Sequence, residues 1–248
     1  MTDLFRNSLS VAGLIALWWL ITGSGLVNGD LFPTPYAVAT AARELYSEGL
    51  LFSDLSVSIT RAAIGFAIGA LLGVLMGILT ARIATIRQIL NPLFNLLRPI
   101  PAIALVPLAI VWLGIGESSK YFVISYTVFL AVWLNTHHGT EHVARTYILA
   151  SRSLGANRFR EFVEVILPAA APHIVAGLRI GAALAFLSLV AAELSGASAG
   201  IGFRLQEARQ FIRTDRMFVG LLELGVLGSI LDFAFVLISR KLVHWERT

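Results

Sequence analysis

The sequence predicts an all-α polytopic membrane protein with six transmembrane helices, and three observations carry that prediction. Apolar residues make up 57% of the 248 residues and charged residues 14%, against about 45–50% and about 25% in a soluble domain. Apolar stretches near 10–27, 59–81, 103–116, 120–136, 173–194 and 218–240 reach or approach the ~20 residues that cross a bilayer as a helix. They leave no room for a separate soluble domain, so 1–248 reads as one transmembrane domain. Cysteine is absent, which excludes disulfides and thiolate metal sites and leaves the redox compartment unread.

The first span, Ser10 to Val27, is longer than the apolar part of a signal peptide and lacks a small-x-small cleavage site, so it is expected to be retained. Pro35 then opens a short helix that Gly49 ends, expected to cap the bundle on its outer surface. In the second span Gly65, Gly69, Gly73 and Gly77 recur every four residues. Lipid tails provide no hydrophobic drive between helices, so such a ridge predicts a seam where another helix comes close. The third span follows Arg98-Pro99-Ile100-Pro101 and is expected to begin broken or tilted. Between the fourth and fifth spans lies a charged helix-turn-helix segment, Tyr147–Pro172, of the kind that meets a soluble partner.

Six spans put both termini on one side. That side carries eleven Lys and Arg, from Arg6 through Arg98 and Arg160 to Arg247, and the other carries seven, among them Arg43, Arg61, Arg204 and Arg209. The bias makes both termini and the 137–172 loop cytoplasmic.

Several residues suggest chemistry. No GxxxxGK[ST] occurs, so ATP bound in the P-loop manner belongs to another chain. Gly196-Ala197-Ser198-Ala199-Gly200 spells G-x-S-x-G, but it follows an apolar helix and the only later histidine is His244 at the far end; a small-residue loop is the better reading than an intramembrane hydrolase. His138 and His142 have i,i+4 spacing beside His137, yet no carboxylate in metal-binding register, and read as polar residues at a membrane exit. Ionisable groups inside spans are costly and mark Arg179, Glu193, Glu223 and Asp232. Arg179 either snorkels to the cytoplasmic interface or serves as the pore candidate, Glu193 is expected at the outer, water-reached end, and Asp232 is expected to pair inside the bundle, with Arg61 or a polar group on a neighbouring helix. Arg209, Arg213 and Arg216 fall on one face if their segment is a single helix, either meeting headgroups or a docking protein or forming a basic funnel for an anion.

Ala150, Ser151, Gly155, Leu167 and Pro168 stand on the spacing of the cytoplasmic EAA loop of bacterial ABC importer permeases, with Leu149 where that pattern has Glu and Val165 where it has Ile. Arg98-Pro99-Ile100-Pro101 with Pro107, Gly114-Ile115-Gly116-Glu117 with Lys120, Asn135-Thr136, Ala192-Glu193, Gly200-Ile201-Gly202, Ala208-Arg209-Gln210-Phe211 and Thr214-Asp215 extend the likeness over nearly the whole chain. The sequence resembles permeases of the nitrate/sulfonate/taurine and bicarbonate group, most of all those for aliphatic sulfonates. The resemblance implies the type I importer fold in the bacterial cytoplasmic membrane and a homodimer. Two ATP-binding subunits would carry ATP and Mg, with no cofactor in this chain, and an outer binding protein would deliver a small anion. It also implies a coupling segment at Ala150, Ser151, Leu154, Gly155, Ala156, Asn157, Arg158 and Pro168. Pro99 and Pro101 at the break of the third span, and the charges Arg179 and Glu193 within spans, are the pore or gate candidates. Membrane lipids are partners and nucleic acid is not. An ion-coupled secondary transporter is the alternative, without the internal repeat such transporters carry.

Overall fold

The computed structural model describes residues 2–25 and 27–242, with side chains described over 12–25 and 27–237. His244 and the charges counted at Arg6, Arg240, Lys241 and Arg247 therefore lie outside the described side chains. Among the described residues every regular element is helical: α1 (Thr2–Gly23), α2 (Pro35–Ser47), α3 (Leu50–Arg82), α4 (Ala84–Leu97), α5 (Ala102–Leu113), α6 (Glu117–Glu141), α7 (Arg145–Ser153), the single turn α8 (Arg158–Arg160), a π-helix (Glu161–Ile166), α9 (Leu167–Gly196), α10 (Ile201–Gln210) and α11 (Thr214–Leu242). The contacts divide the chain into two compact units, 1–58 with 198–226 and 59–197 with 227–248.

In the first unit α2 forms where the sequence predicts it. Thr34 accepts from the Ala37 N–H at 3.1 Å, Pro35 opens the helix, and Gly49 leaves it at φ +73, the left-handed region that glycine enters without a steric cost. Its buried stripe, Val38, Ala41 and Leu45, packs with Val219, Trp18 and Phe218. The outer arginine segment departs from expectation. It is not one helix: α10 ends at Gln210, a turn through Ile212 at φ +55 follows, and α11 starts at Thr214. Arg209, Arg213 and Arg216 therefore share no helical face.

In the second unit α6 is the buried centre, with Val123, Ile124, Val128, Val132 and Trp133 all at most 1% exposed. α3 lies on it through the glycine ridge. A Cβ added at Gly65 would stand 2.5 Å from Ile124 Cγ2, at Gly69 2.5 Å from the Ser125 carbonyl, at Gly73 2.7 Å from Val132 Cβ, and at Gly77 2.5 Å from Thr136 Cβ. The seam predicted from the four-residue repeat is formed, and α6 is the helix it receives.

Span boundaries shift. α1 ends at Gly23 rather than 27, and α3 begins nine residues before 59. The stretch before Arg98, to which the sequence reading assigned no element, is the helix α4, and α4 meets α5 at 105° across the Pro99–Pro101 corner, which is the break the prolines predict. By length and hydropathy, Leu50–Arg82, Arg158–Gly196 and Thr214–Leu237 can each cross a bilayer, and the bent pair α4–α5 makes a fourth. Of the other two expected spans, Ala12–Gly23 is apolar but short. α6 is long but carries Ser, Thr, Tyr and Asn, as a helix covered by protein rather than lipid can.

Candidate functional site

The charged segment folds as a self-contained knob. At the end of α7, Gly155 takes φ +82 and its N–H donates to Arg152 O at 3.0 Å, while the Ala156 N–H donates to Ser151 O at 3.0 Å, the paired closure that ends a helix on glycine. Asn157 then caps the next turn, its Oδ1 accepting from the Arg160 N–H at 2.9 Å, and Pro168 sits in the first turn of α9. The tip displays Tyr147, Leu149, Leu154 and Phe159, which are 62%, 59%, 88% and 73% exposed. Ala150 and Arg158 are exposed and Ala156 half-buried. Ser151 is buried, with its hydroxyl donating to Ile148 O at 2.9 Å, so it holds the knob together rather than presenting a surface.

Sequence reasoning missed Glu161. It is 2% exposed, and its carboxylate takes Arg152 Nε at 2.6 Å, Arg152 Nη2 at 3.2 Å and Arg82 Nη2 at 3.4 Å. One buried acid thus ties α7, the cytoplasm-read end of α3 and the π-helix entering α9. Nothing local in the sequence signals this, because Arg82 lies 79 positions away.

The charges within spans pair differently from expectation. Arg61, counted among the charges of the outer side, is buried. It donates to both Glu117 oxygens at 2.7 Å and to Glu193 Oε1 at 2.8 Å, and Lys120 adds a 3.3 Å contact to Glu117. Glu193 is 1% exposed, not at a water-reached end. Arg61 is therefore not the mate of Asp232. That mate is Arg179, with Nε and Nη2 at 2.8 and 3.0 Å from the two Asp232 oxygens. The pair is half-exposed on the second unit rather than enclosed in it, and Arg179 offers no uncompensated charge.

A groove of about 570 Å³ opens in the second unit between the Arg98–Ile103 corner, α6 and α9. It runs from Tyr126 to Asn135 on α6 and from Ile180 to Ala191 on α9, lengths of ~13 and ~16 Å at 1.5 Å per residue. Of the expected pore residues Pro101 lines it; Pro99, Arg179 and Glu193 do not.

In the first unit the outer arginines are balanced by acids. Arg213 reaches Asp215 at 2.8 Å and Glu44 at 2.9 Å; Arg216 reaches Glu48 at 2.8 Å and Glu44 at 3.2 Å; Arg204 reaches Asp54 at 2.8 Å and also meets Glu207. The basic funnel is not formed. Arg213, then Arg216, hold the Glu44 carboxyl below its ordinary range. Arg209 alone of the three candidates stands exposed without an acid among the described residues.

Residues 51–244 match the family described as "Binding-protein-dependent transport system inner membrane component". The chain belongs to that family. It is 38% identical over 98% of its length to the putative aliphatic sulfonates transport permease protein SsuC of Bacillus subtilis (strain 168), covering 88% of that protein. It is 34% identical to the taurine transport system permease protein TauC of Escherichia coli (strain K12), over 96% of this chain and 88% of that protein. The solved MetNI methionine ABC transporter, in an inward-facing conformation, shares the fold at TM-score 0.61 and 21% identity, over 85% of this chain and 98% of that one.

His137 is buried, its Nδ1 3.0 Å from Thr80 Oγ1 and its Nε2 3.2 Å from Glu141, and the described residues hold no group of three metal-binding side chains. Ser198 lies in the turn that delivers Gly200, whose N–H donates to Asp54 at 2.8 Å.

Proposed function

We propose that this permease is the membrane-spanning subunit of an ATP-driven importer for a small organic anion of the sulfonate or taurine class. On this reading ATP-binding subunits dock on the 145–160 knob, an outer binding protein delivers the solute, and a second copy of the chain completes the path. On the same reading the chain crosses six times, the Lys and Arg bias sets both termini in the cytoplasm, and ATP and Mg stay on the partner subunits. The carrying observation is the knob itself: four exposed apolar side chains, Tyr147 and Leu149 on α7, Leu154 at its C-cap and Phe159 on the turn α8 past Gly155, in a chain with no phosphate-binding loop. Exposed apolar clusters of this kind mark interaction surfaces. Ala150, Leu154, Ala156, Asn157 and Arg158 form or frame its face, while Ser151, Gly155 and Pro168 set its shape.

Coupling runs through Glu161. Closure of the ATP-binding subunits would move α7, and the buried Arg152–Glu161–Arg82 contacts pass that movement to α9 and α3 together. α6 follows because the glycine seam allows no slack between it and α3. An ion-coupled transporter would have no use for a rigid docking knob.

Gly155→Val tests the docking surface. No atom lies within 4 Å of a Cβ there, so the cost is the left-handed backbone, about 1–3 kcal/mol, and it falls on the turn rather than on a span. Membrane abundance should hold while co-purification of the ATP-binding subunit and uptake both fall. Full uptake with normal co-purification would remove the knob from the mechanism.

A further inference from the structure

We propose that the groove between the Arg98–Ile103 corner, α6 and α9 is a binding site in the permease itself for an amphiphilic anion, an alkanesulfonate, with the headgroup at Arg98 and the alkyl chain along the helix wall. The proposal rests on the importer reading above and adds a second point of solute selection inside the membrane subunit.

The polar atoms of the groove are nearly all engaged within the chain. Thr127 donates to Ser188 Oγ at 2.9 Å, and Ser188 donates to Leu184 O at 2.8 Å. Tyr126 OH donates to Leu97 O at 2.6 Å, and Asn135 Nδ2 donates to Ala131 O at 2.9 Å. What remains facing the space is hydrocarbon, chiefly Leu130, Leu134, Ile180, Leu184 and Leu187. Arg98 is the only cation in the lining. It is exposed, and it has no carboxylate partner among the described residues. That sets it apart from Arg61 and Arg179, whose charges are cancelled by Glu117, Glu193 and Asp232.

The arrangement has two ends. A guanidinium offers a planar fork that matches two oxygens of a sulfonate, and Pro101 and Ala102, where α5 begins without a side-chain cap, line the groove beside it. Beyond that corner the wall continues for ~13 Å along α6, room for a chain of several carbons. A hydrated anion without a tail gains the headgroup contact alone. Nitrate and sulfate are therefore disfavoured, and affinity should climb with chain length by up to about fourfold for each fully buried methylene.

The test uses the intact purified permease–ATPase complex without binding protein, measuring displacement of radiolabelled pentanesulfonate by methane-, propane- and pentanesulfonate, sulfate and nitrate. Affinity should rise at least about twofold per methylene, half of the full-burial effect, and both inorganic ions should compete weakly. Arg98→Gln should weaken pentanesulfonate about tenfold or more, as loss of a charged hydrogen-bond pair does, and Arg98→Lys should fall between. Leu187→Asn should flatten the chain-length series and leave methanesulfonate unchanged, which decides the matter should the Gln variant not assemble. Equal binding by Arg98→Gln, sulfate competing as well as pentanesulfonate, or an assembled complex that binds none of them would overturn the site. Failure of the parent chain to co-purify with the ATPase would instead count against the importer reading.

Discussion

Glu44 shows how single side chains set the outer face. Its carboxylate joins α2 to the turn before α11 through Arg213 and Arg216, and those cations depress its pKa below the ordinary 4.5. A depressed carboxylate stabilises the fold above its unfolded pKa and loses that contribution as pH falls through the folded value. The melting-temperature gap between the parent and Glu44→Gln should thus be constant near about pH 7 and shrink as pH drops below about 4.5. A gap that widens with acid would show the carboxylate is not held by arginine. The contribution is modest, since the three side chains are partly solvated. The same scale shows what a sequence conceals. Gly155 was legible because a turn's demand for φ > 0 is local, whereas the partners of Arg61 were not, because they lie 56 and 132 positions away. Arg179 and Asp232 were each flagged as costly, but not as each other's remedy, 53 positions apart.

Among the elements, the α3–α6 seam was the most legible. Its signal, a glycine every four residues, is the periodicity of a helix face, and only the identity of the receiving helix had to come from the structure. Gly69→Ala should be enough to disturb it, because even a methyl would meet the Ser125 carbonyl at 2.5 Å. Overpacking of this kind costs about 1–3 kcal/mol, visible as a lower melting temperature of the purified protein in detergent. Unchanged melting would mean that the two helices can part at little cost. The α4–α5 corner was half legible: the prolines announce a break, but α4 itself was missed because an amphipathic helix of 14 residues resembles neither a span nor a soluble core helix. The outer arginine segment failed for the opposite reason. Its i,i+4 spacing suits one helix, and Ile212 at φ +55, a conformation β-branched residues rarely take, gives no warning of the turn.

At the scale of the whole molecule, composition and the motif order were sufficient for the family, and the structure adds two surfaces, a knob with exposed apolar side chains and a helix-lined groove. They are linked in one unit, since α9 rises from the knob through the π-helix and then forms a wall of the groove. Expectations about the groove suffered because charge was used as the guide to it. Most charges within spans turned out to be paired, and Arg98, counted only for orientation, is the one that faces the space. The central claim is that movement at the knob, driven by ATP on another chain, opens this path to an organic anion. It is tested most directly by reconstituting the permease with its ATP-binding subunit and binding protein in proteoliposomes and following radiolabelled alkanesulfonate. Uptake that requires ATP and both partners, and that persists when ion gradients are collapsed, is the predicted result; uptake by the permease alone, driven by an ion gradient and indifferent to ATP, would contradict it.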